Sequence, residues 1–445
     1  MSDTELSKTV YKLLLIRGHA QRDKSLVFTS LAHLLNEEYL TSCYFSLNRN
    51  KAIGIDNISW KDYGKDLIEN IKNLVIKLKR KKFNPQPAKR VYIPKGDGKF
   101  RPLGISSIEN KIVERGVADI LSGIYEEDFI ENSFGFRPKR SAHDALKKLN
   151  SLIMFQPVSY IVEADIKGFF DNVSHNLLMD FIRIRISDSS LLLLIEKFLK
   201  AGYVDNGLLI RSDVGTPQGS ILSPILANIF LHYVLDEWFE NVVKKHVRGY
   251  CELIRYADDF VVLVRYYNDA IRIEKALYNR FNIYELTLHP DKSKRFSFGR
   301  FELKKSKEAN RKAYTFDFLG LTHYCKVNYK GIFSVGRKTS KKKFCTKNKD
   351  MNNWLRKVRN TSQTYDWWKI LNSKLRGHYQ YYGVTGNYKS IYMFYQNTKR
   401  LVFKWLNRQS QKRRMNWIEF TTYLEHYPLE KPKIKHNFYY ACNLS

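Results

Sequence analysis

Apolar residues recur at three- and four-residue spacings through much of the first ninety positions. "SLVFTSLAHLLNEEYL" (25–40) and "KDLIENIKNLVIKLKR" (65–80) follow that spacing and predict two helices, with "KAIGIDNISW" (51–60) as a glycine-containing loop between them. The period then changes. "RVYIPKGDGKFRPLGIS" (90–106) reads as two short strands around a Gly-Asp-Gly turn, and residues 107–129 read as a helix. "SYIVEADIKGFFDNVSHNLL" (159–178) predicts a strand running into a turn and a helix. "GTPQGSILSPILANIFLHYVLDEWFENVV" (215–243) predicts a Gly/Pro loop and a long helix with an apolar stripe at Leu231, Val234, Leu235 and Trp238. Residues 252–266 predict a hairpin, 270–288 a helix, and "FDFLGLTHY" (316–324) one strand. After about residue 335 the pattern predicts helix to near 426, and Pro428 and Pro432 make the last stretch irregular. The basic run "RKTSKKKF" (337–344) marks the change from the mixed part to the helical part, as a solvated or phosphate-contacting loop. A chain of 445 residues exceeds one ordinary core, so two or three subdomains are expected.

Charge narrows the class. Lys and Arg number 76 against 44 Asp and Glu, a net charge of +32, which predicts attraction to a polyanion and most simply to nucleic acid. Residues 331–445 carry 24 Lys and Arg against 5 acids, interleaved with aromatics in "WLRKVRN", "YDWWKI" and "FKWLNR". That mixture suits a surface gripping a sugar–phosphate backbone, on helices whose other face is packed. No run of about 18 uncharged apolar residues is present, so no membrane span is expected. Early acids and the lack of a small-residue cleavage site argue against a leader peptide. Cysteines 43, 251, 325, 345 and 442 form no CxxC pair, which excludes a zinc ribbon and leaves packing as their role in a reducing compartment.

The chemistry starts at "RYADDFVVL" (255–263), where Asp258 and Asp259 stand together in an apolar setting. Adjacent carboxylates repel and lose solvation there, so a counter-charge is required. Asp165 ends the apolar strand "YIVEAD". If the two strands pair, three carboxylates converge, and oxygen-only ligands suit Mg²⁺. Two such ions support nucleotidyl transfer.

These segments, with "ADIKGFFDNVSH", "SFGFRPKRSAHDAL", "KFRPLGI", "GIDN" (54–57), "FDFLG" (316–320), "LNSKLRGHYQYYG" (371–383) and "RLVFKWLNRQSQ" (400–411), resemble the group II intron-encoded reverse transcriptase/maturase, over roughly residues 10–425. The resemblance implies an α+β right-hand polymerase: a helical N-terminal extension and the start of the fingers over 1–90, fingers and palm (antiparallel sheet plus helices) over 91–335, an α-helical thumb/maturase domain over 336–427, and a short basic tail, a remnant of a DNA-binding region, over 428–445. Nothing matches the endonuclease domain that such proteins often carry, nor a ribonuclease H domain.

The implied roles fall on matching positions. Asp165, Asp258 and Asp259 are catalytic, and with Ile166 they hold two Mg²⁺ ions, Mn²⁺ being the alternative metal. Lys95, Arg101, Ile166, Phe170, Gln218 and Lys292 bind the deoxynucleoside triphosphate. Phe170 gates the sugar against a 2′-hydroxyl, Lys95 and Arg101 meet the triphosphate, and Lys292, with Lys294 as its competitor, protonates the leaving pyrophosphate. Gly215 and Gly219 let backbone approach a ligand. His143, His175 and His378 take hydrogen-bonding or packing roles. The implied partners are an RNA template, a DNA primer and the intron RNA, whose splicing the protein assists by binding, in a nucleic-acid-associated bacterial cytoplasmic setting, as monomer or dimer. The alternatives are a related reverse transcriptase without a host intron, serving phage defence or repair, and a splicing factor that only binds RNA.

Overall fold

The computed structural model describes residues 3–96, 99–211, 213–216, 219–290, 293–360, 363–408 and 415–438. Its architecture is α+β, and along the chain the strands are β1 (Ala88–Gly96), β2 (Lys99–Ile105), β3 (Tyr160–Asp165), β4 (Tyr203–Asp205), β5 (Leu208–Ile210), β6 (Cys251–Tyr256), β7 (Asp259–Val264), β8 (Lys294–Ser297), β9 (Thr315–Phe318), β10 (Leu321–Val327) and β11 (Phe333–Thr339). They form three sheets, ordered β2-β1-β4-β5, β6-β7-β3-β8 and β11-β10-β9. The chain divides into two compact units, one of residues 1–141, 162–262 and 268–295, the other of 142–161, 263–267 and 296–445. Among the described residues no helix is long and apolar enough to cross a membrane.

In the first unit the helix at 65–80 forms as Leu67–Lys79 and buries Ile71, Leu74 and Val75. The helix expected over 25–40 does not form as one piece. Phe28 instead bridges Ile186, a short 3₁₀ turn covers Ala32–Leu34, and the helix Glu37–Ser46 begins where Asn36 accepts the Tyr39 N–H at 2.8 Å. A side-chain cap of this kind satisfies an orphan donor and sets the start point more sharply than apolar spacing does. The β1–β2 hairpin is antiparallel, with Ile93 opposite Arg101 and a register shift between Pro94 and Gly96. The helix after it, Ile108–Tyr125, is capped by Ser107 and buries twelve of its residues. The helix expected over 270–288 ends at Ile283. Glu285 takes a φ of +60°, and Thr287 and Leu288 then pair with Lys167 and Ile166.

The long helix after the Gly/Pro loop starts as Ser223–Leu231 and continues through π-helical segments His232–Asp236 and Phe239–Val243. Leu231, Val234 and Leu235 of the expected stripe are fully buried, whereas its fourth member, Trp238, is only half-buried. Each π segment inserts a residue and rotates the remainder of the helix about its axis. Asp236, which the sequence reading passed over, ends the first of these segments and is wholly buried.

In the second unit "FDFLGLTHY" is a hairpin rather than one strand. Leu319 and Gly320 have φ of +49° and +77° and form the turn between β9 and β10, with Leu321 opposite Phe318. Two consecutive left-handed residues make the primed turn that matches strand twist. Strand β11 extends to Thr339, and the helix Lys341–Val358 follows. The run "RKTSKKKF" is therefore not a loop. Arg337 is 1% exposed, donates to Asn150 and the Thr385 carbonyl, and lies 4.9 Å from the Phe438 ring centroid. Residues 427–438 form neither helix nor strand beyond a bridge of His436 to Val384, yet Leu429 and Phe438 are buried. Of the cysteines, 43, 251 and 325 are buried and 345 is exposed, while Cys442 lies outside the described residues.

His378 stacks on Phe394 with ring centroids 3.8 Å apart, a packing role as expected. Burial drives its imidazole from the usual 6.5 down to about 4. Between those values the unfolded chain binds the proton and the native one does not. Its stabilising contribution is thus complete above about 6.5 and falls as the pH drops to about 4. His378→Phe is expected to reduce the fall in melting temperature between pH 7 and pH 4 relative to wild type; an unchanged fall would mean that His378 does not titrate in this way.

Candidate active site

Strand β7 is buried along Phe260–Val264 and β3 at Ile161, Val162 and Ala164. Both are inner strands of the sheet β6-β7-β3-β8, which explains why "FVVLV" is a continuous apolar run rather than an alternating one. The Ser159 N–H donates to the Val264 carbonyl at 2.9 Å, so the start of β3 lies beside the end of β7 and the two run antiparallel. Asp165 at the end of β3 and the 257–258 turn just before β7 therefore lie at the same end of the sheet. On the other side of β3, the His289 N–H donates to the Asp165 carbonyl at 2.7 Å and Ile166 bridges Leu288. Asp165 and Asp258 are half-buried, and Asp259 is exposed.

Among the described residues, no three Asp, Glu, His or Cys side chains are gathered tightly enough to hold a metal ion by themselves. Asp165, Asp258 and Asp259 nevertheless stand at neighbouring strand ends of one sheet. Mg²⁺ is commonly held by one or two carboxylates together with substrate phosphates rather than by an all-protein cage. Adjacent strand ends carrying Asp165 and the 258–259 turn match that mode of binding. Ile166 has an aliphatic side chain that is 3% exposed, so only its backbone carbonyl is a candidate oxygen ligand.

The turn itself is strained and braced. Ala257 has a φ of +58°, a conformation uncommon for a residue with a side chain. Arg255, 0% exposed, grips it from beneath: Nη1 donates to the Ala257 carbonyl at 3.0 Å and to Asn228 Oδ1 at 2.9 Å, while Nε donates to Asp236 Oδ1 at 2.7 Å and Nη2 to Asp236 Oδ2. "SFGF" backs the same hairpin. The Phe134 N–H donates to the Arg255 carbonyl at 2.9 Å, and a Cβ on Gly135 would stand 2.2 Å from the Ala257 nitrogen. Here glycine is required by close backbone approach. Sequence reasoning missed Arg255, Asn228 and Asp236. The available signal was an arginine directly after the apolar pair Leu253–Ile254 in a strand, where burial requires a partner.

Phe170 is half-buried on the single turn Phe169–Asn172, edge-on to Phe169. Its carbonyl accepts the Thr216 N–H at 2.7 Å, which holds the Gly/Pro loop beside it. A cleft of about 320 Å³ lies there, lined among others by Arg90, Pro102, Gly104, Phe170, Gly215 and Thr216. The Thr216 hydroxyl is buried without a hydrogen-bond partner among the described residues. Arg90, also missed, places its guanidinium 3.5 Å from the Tyr203 ring centroid. Gly215 (φ +90°) and Gly219 (φ +118°) do permit close approach, but to protein backbone: Cβ atoms there would lie 3.0 Å from the Asp171 carbonyl oxygen and 2.5 Å from that of Gly104.

Arg101 is exposed on β2. Lys95 falls within the β1 register shift, and its side chain is not among the described atoms. Gln218 and Lys292 lie outside the described residues; Lys294 is exposed at the start of β8. His175 Nε2 is 2.6 Å from the Gly215 carbonyl oxygen, and His143 Nε2 is 2.9 Å from that of Tyr381, so both have hydrogen-bonding roles.

Residues 93–323 match the family described as reverse transcriptase (RNA-dependent DNA polymerase). The group II intron-encoded protein LtrA of Lactococcus lactis subsp. cremoris is 41% identical over 219 residues, 49% of this chain and 36% of that protein. Protein YkfC of Escherichia coli (strain K12) is 37% identical over 214 residues, 41% of this chain and 55% of that protein. An uncharacterised 91 kDa protein in a cob intron of Schizosaccharomyces pombe is 38% identical over 209 residues, 47% of this chain and 26% of that protein. The chain thus spans about a quarter to about half the length of these relatives.

Proposed function

This chain belongs to the reverse transcriptase (RNA-dependent DNA polymerase) family, and from that premise we propose that it copies RNA into DNA and acts as a group II intron-encoded protein that binds its intron RNA to assist splicing and mobility. The observation that carries the reading is the placement of Asp165 and the Asp258–Asp259 turn at adjacent ends of β3 and β7, inside the family match. In this reading residues 1–90 are the N-terminal extension and start of the fingers, 91–335 fingers and palm, 336–427 the thumb/maturase domain and 428–445 a basic tail.

Asp165, Asp258, Asp259 and the Ile166 carbonyl would hold two Mg²⁺ ions. Such ions, when bound, activate the primer hydroxyl and stabilise the departing pyrophosphate in one in-line displacement. The protein's residues do the remaining work. Lys95 and Arg101 meet the triphosphate, Arg through a bidentate fork and Lys as a point charge. Gln218 hydrogen-bonds the nucleotide or template, Lys292 donates a proton to pyrophosphate, and the Phe170 ring fills the space a 2′-hydroxyl would need. The basic, aromatic-rich helices beyond residue 340 bind RNA through its phosphates.

Extension of a DNA primer annealed to an RNA template, with Mg²⁺ and deoxynucleotides, tests the polymerase reading, and no extension by folded protein would refute it. A gene embedded in a foldable group II intron tests the intron reading. Phe170→Ala is expected to raise ribonucleotide incorporation relative to deoxynucleotide by about 10- to 100-fold in kcat/KM, the range one pocket contact controls. Unchanged sugar discrimination would remove the gate from Phe170.

A further inference from the structure

Glu114 has no place in the chemistry above, and its surroundings are those of a fastening. It lies on the helix Ile108–Tyr125, is 3% exposed, and lines a small cavity that shares Leu199 and Gly202 with the cleft beside Phe170. One carboxylate oxygen accepts the Ser106 hydroxyl at 2.8 Å, one residue beyond the end of β2. The other accepts the Ile221 N–H at 2.9 Å, just after the Gly/Pro loop. Between these two ties the strand and the loop touch directly, since a Cβ on Gly219 would stand 2.5 Å from the Gly104 carbonyl oxygen. Pro102 and Gly104 of β2 and Gly215 and Thr216 of the Gly/Pro loop all line the cleft of about 320 Å³.

A carboxylate in such a place is costly. Burial raises its pKa, opposed by hydrogen bonds from Ile221, Ser106 and Ser220 and by the charge of Lys111. An apolar side chain of that size would fill the space without this cost. What it could not do is fix a strand end and a loop at a set separation through two directional bonds.

We propose that Glu114 is a positioning residue that sets the spacing of the nucleoside-triphosphate cleft by tying the end of β2 to the Gly/Pro loop. The inference rests on the polymerase reading. Its effect is on nucleotide binding: with the ties gone, Arg101 on β2 and the loop beside Phe170 lose their common reference, and the nucleotide must supply the ordering itself. That cost appears in KM rather than in kcat.

The test compares wild type with Glu114→Ala, Glu114→Gln and Ser106→Ala. Steady-state primer extension gives KM for deoxynucleotide and kcat, and the rise in melting temperature with added dTTP reads nucleotide binding without turnover. Glu114→Ala is expected to raise KM about tenfold with kcat lowered less than about threefold, and to need about tenfold more dTTP for the same thermal shift. Glu114→Gln, which keeps an acceptor for Ile221 and gains a donor toward Ser106, should stay within about twofold of wild type. Ser106→Ala removes one tie, leaves the core filled, and is expected to raise KM about threefold, which keeps the proposal testable should the alanine variant fail to fold. Wild-type values of KM and thermal shift in folded Glu114→Ala or Ser106→Ala would overturn the assignment, as would a kcat loss that Gln does not rescue. Wild-type protein that extends no primer and shows no dTTP shift would instead refute the polymerase reading beneath it.

Discussion

Asp258→Ala is expected to lower primer extension on an RNA template by about 10³-fold or more, while RNA affinity stays within about twofold of wild type. The two readouts separate because they rest on different parts of the chain. In the proposed function extension draws on carboxylate oxygens at the β6–β7 turn, and removing one takes away a direct oxygen ligand for the ions. RNA binding draws on a distributed positive charge, 19 of the net +32 lying in residues 331–445. Removing one acid changes that field slightly and in the favourable direction. Filter binding at several salt concentrations should give the same slope for variant and wild type. Loss of extension and binding together would identify Asp258 as a structural residue and remove it from the catalytic set.

Asp236→Ala is expected to cost about 3–5 kcal/mol of stability, the penalty for leaving one member of a buried pair uncompensated. For a unit of this size that is a fall in melting temperature of about 5–10 °C. Asp236 and the Arg255 side chain are both fully buried, and the guanidinium has no route to water. The pair Asp236→Leu with Arg255→Met should recover much of the loss, since apolar replacement of a buried ion pair is often neutral or stabilising. It should not recover primer extension, because the bonds from Arg255 to Ala257 and Asn228 vanish with the guanidinium and the strained turn loses its brace. A double variant with full activity would show that the network stabilises the fold without shaping the turn. A single Asp236→Ala variant as stable as wild type would show that the pair is not buried as described.

Much of the local structure was legible because it rests on local causes. Two short strand-like runs around a Gly-Asp-Gly sequence foretold the β1–β2 hairpin, and three-four spacing foretold Leu67–Lys79. Several misreadings trace to a long-range partner overriding a short-range pattern, others to a cap or tight turn that apolar spacing does not show. The helix after 270 stopped at Ile283 because residues 287 and 288 pair with 167 and 166. Leu319 entered a left-handed turn that its own propensity disfavours. Arg337 looked solvated within a lysine run, but its partner Asn150 is 187 residues away in sequence.

The candidate site divides in the same way. The amino-acid order by itself determined which residue types are present for nucleotidyl transfer: acids at a strand end and in an apolar hairpin, an aromatic five residues beyond Asp165, and a charge excess suited to a phosphate backbone. Those are properties of composition and of local spacing, which need no fold to be read. Only the tertiary structure decided that β7 lies beside β3, that Arg255, held by Asp236, bonds the Ala257 carbonyl in the turn, and that Glu114 accepts bonds from both Ser106 and Ile221. These depend on which segments pack together, and packing energy is a property of the assembled core rather than of any one stretch of chain.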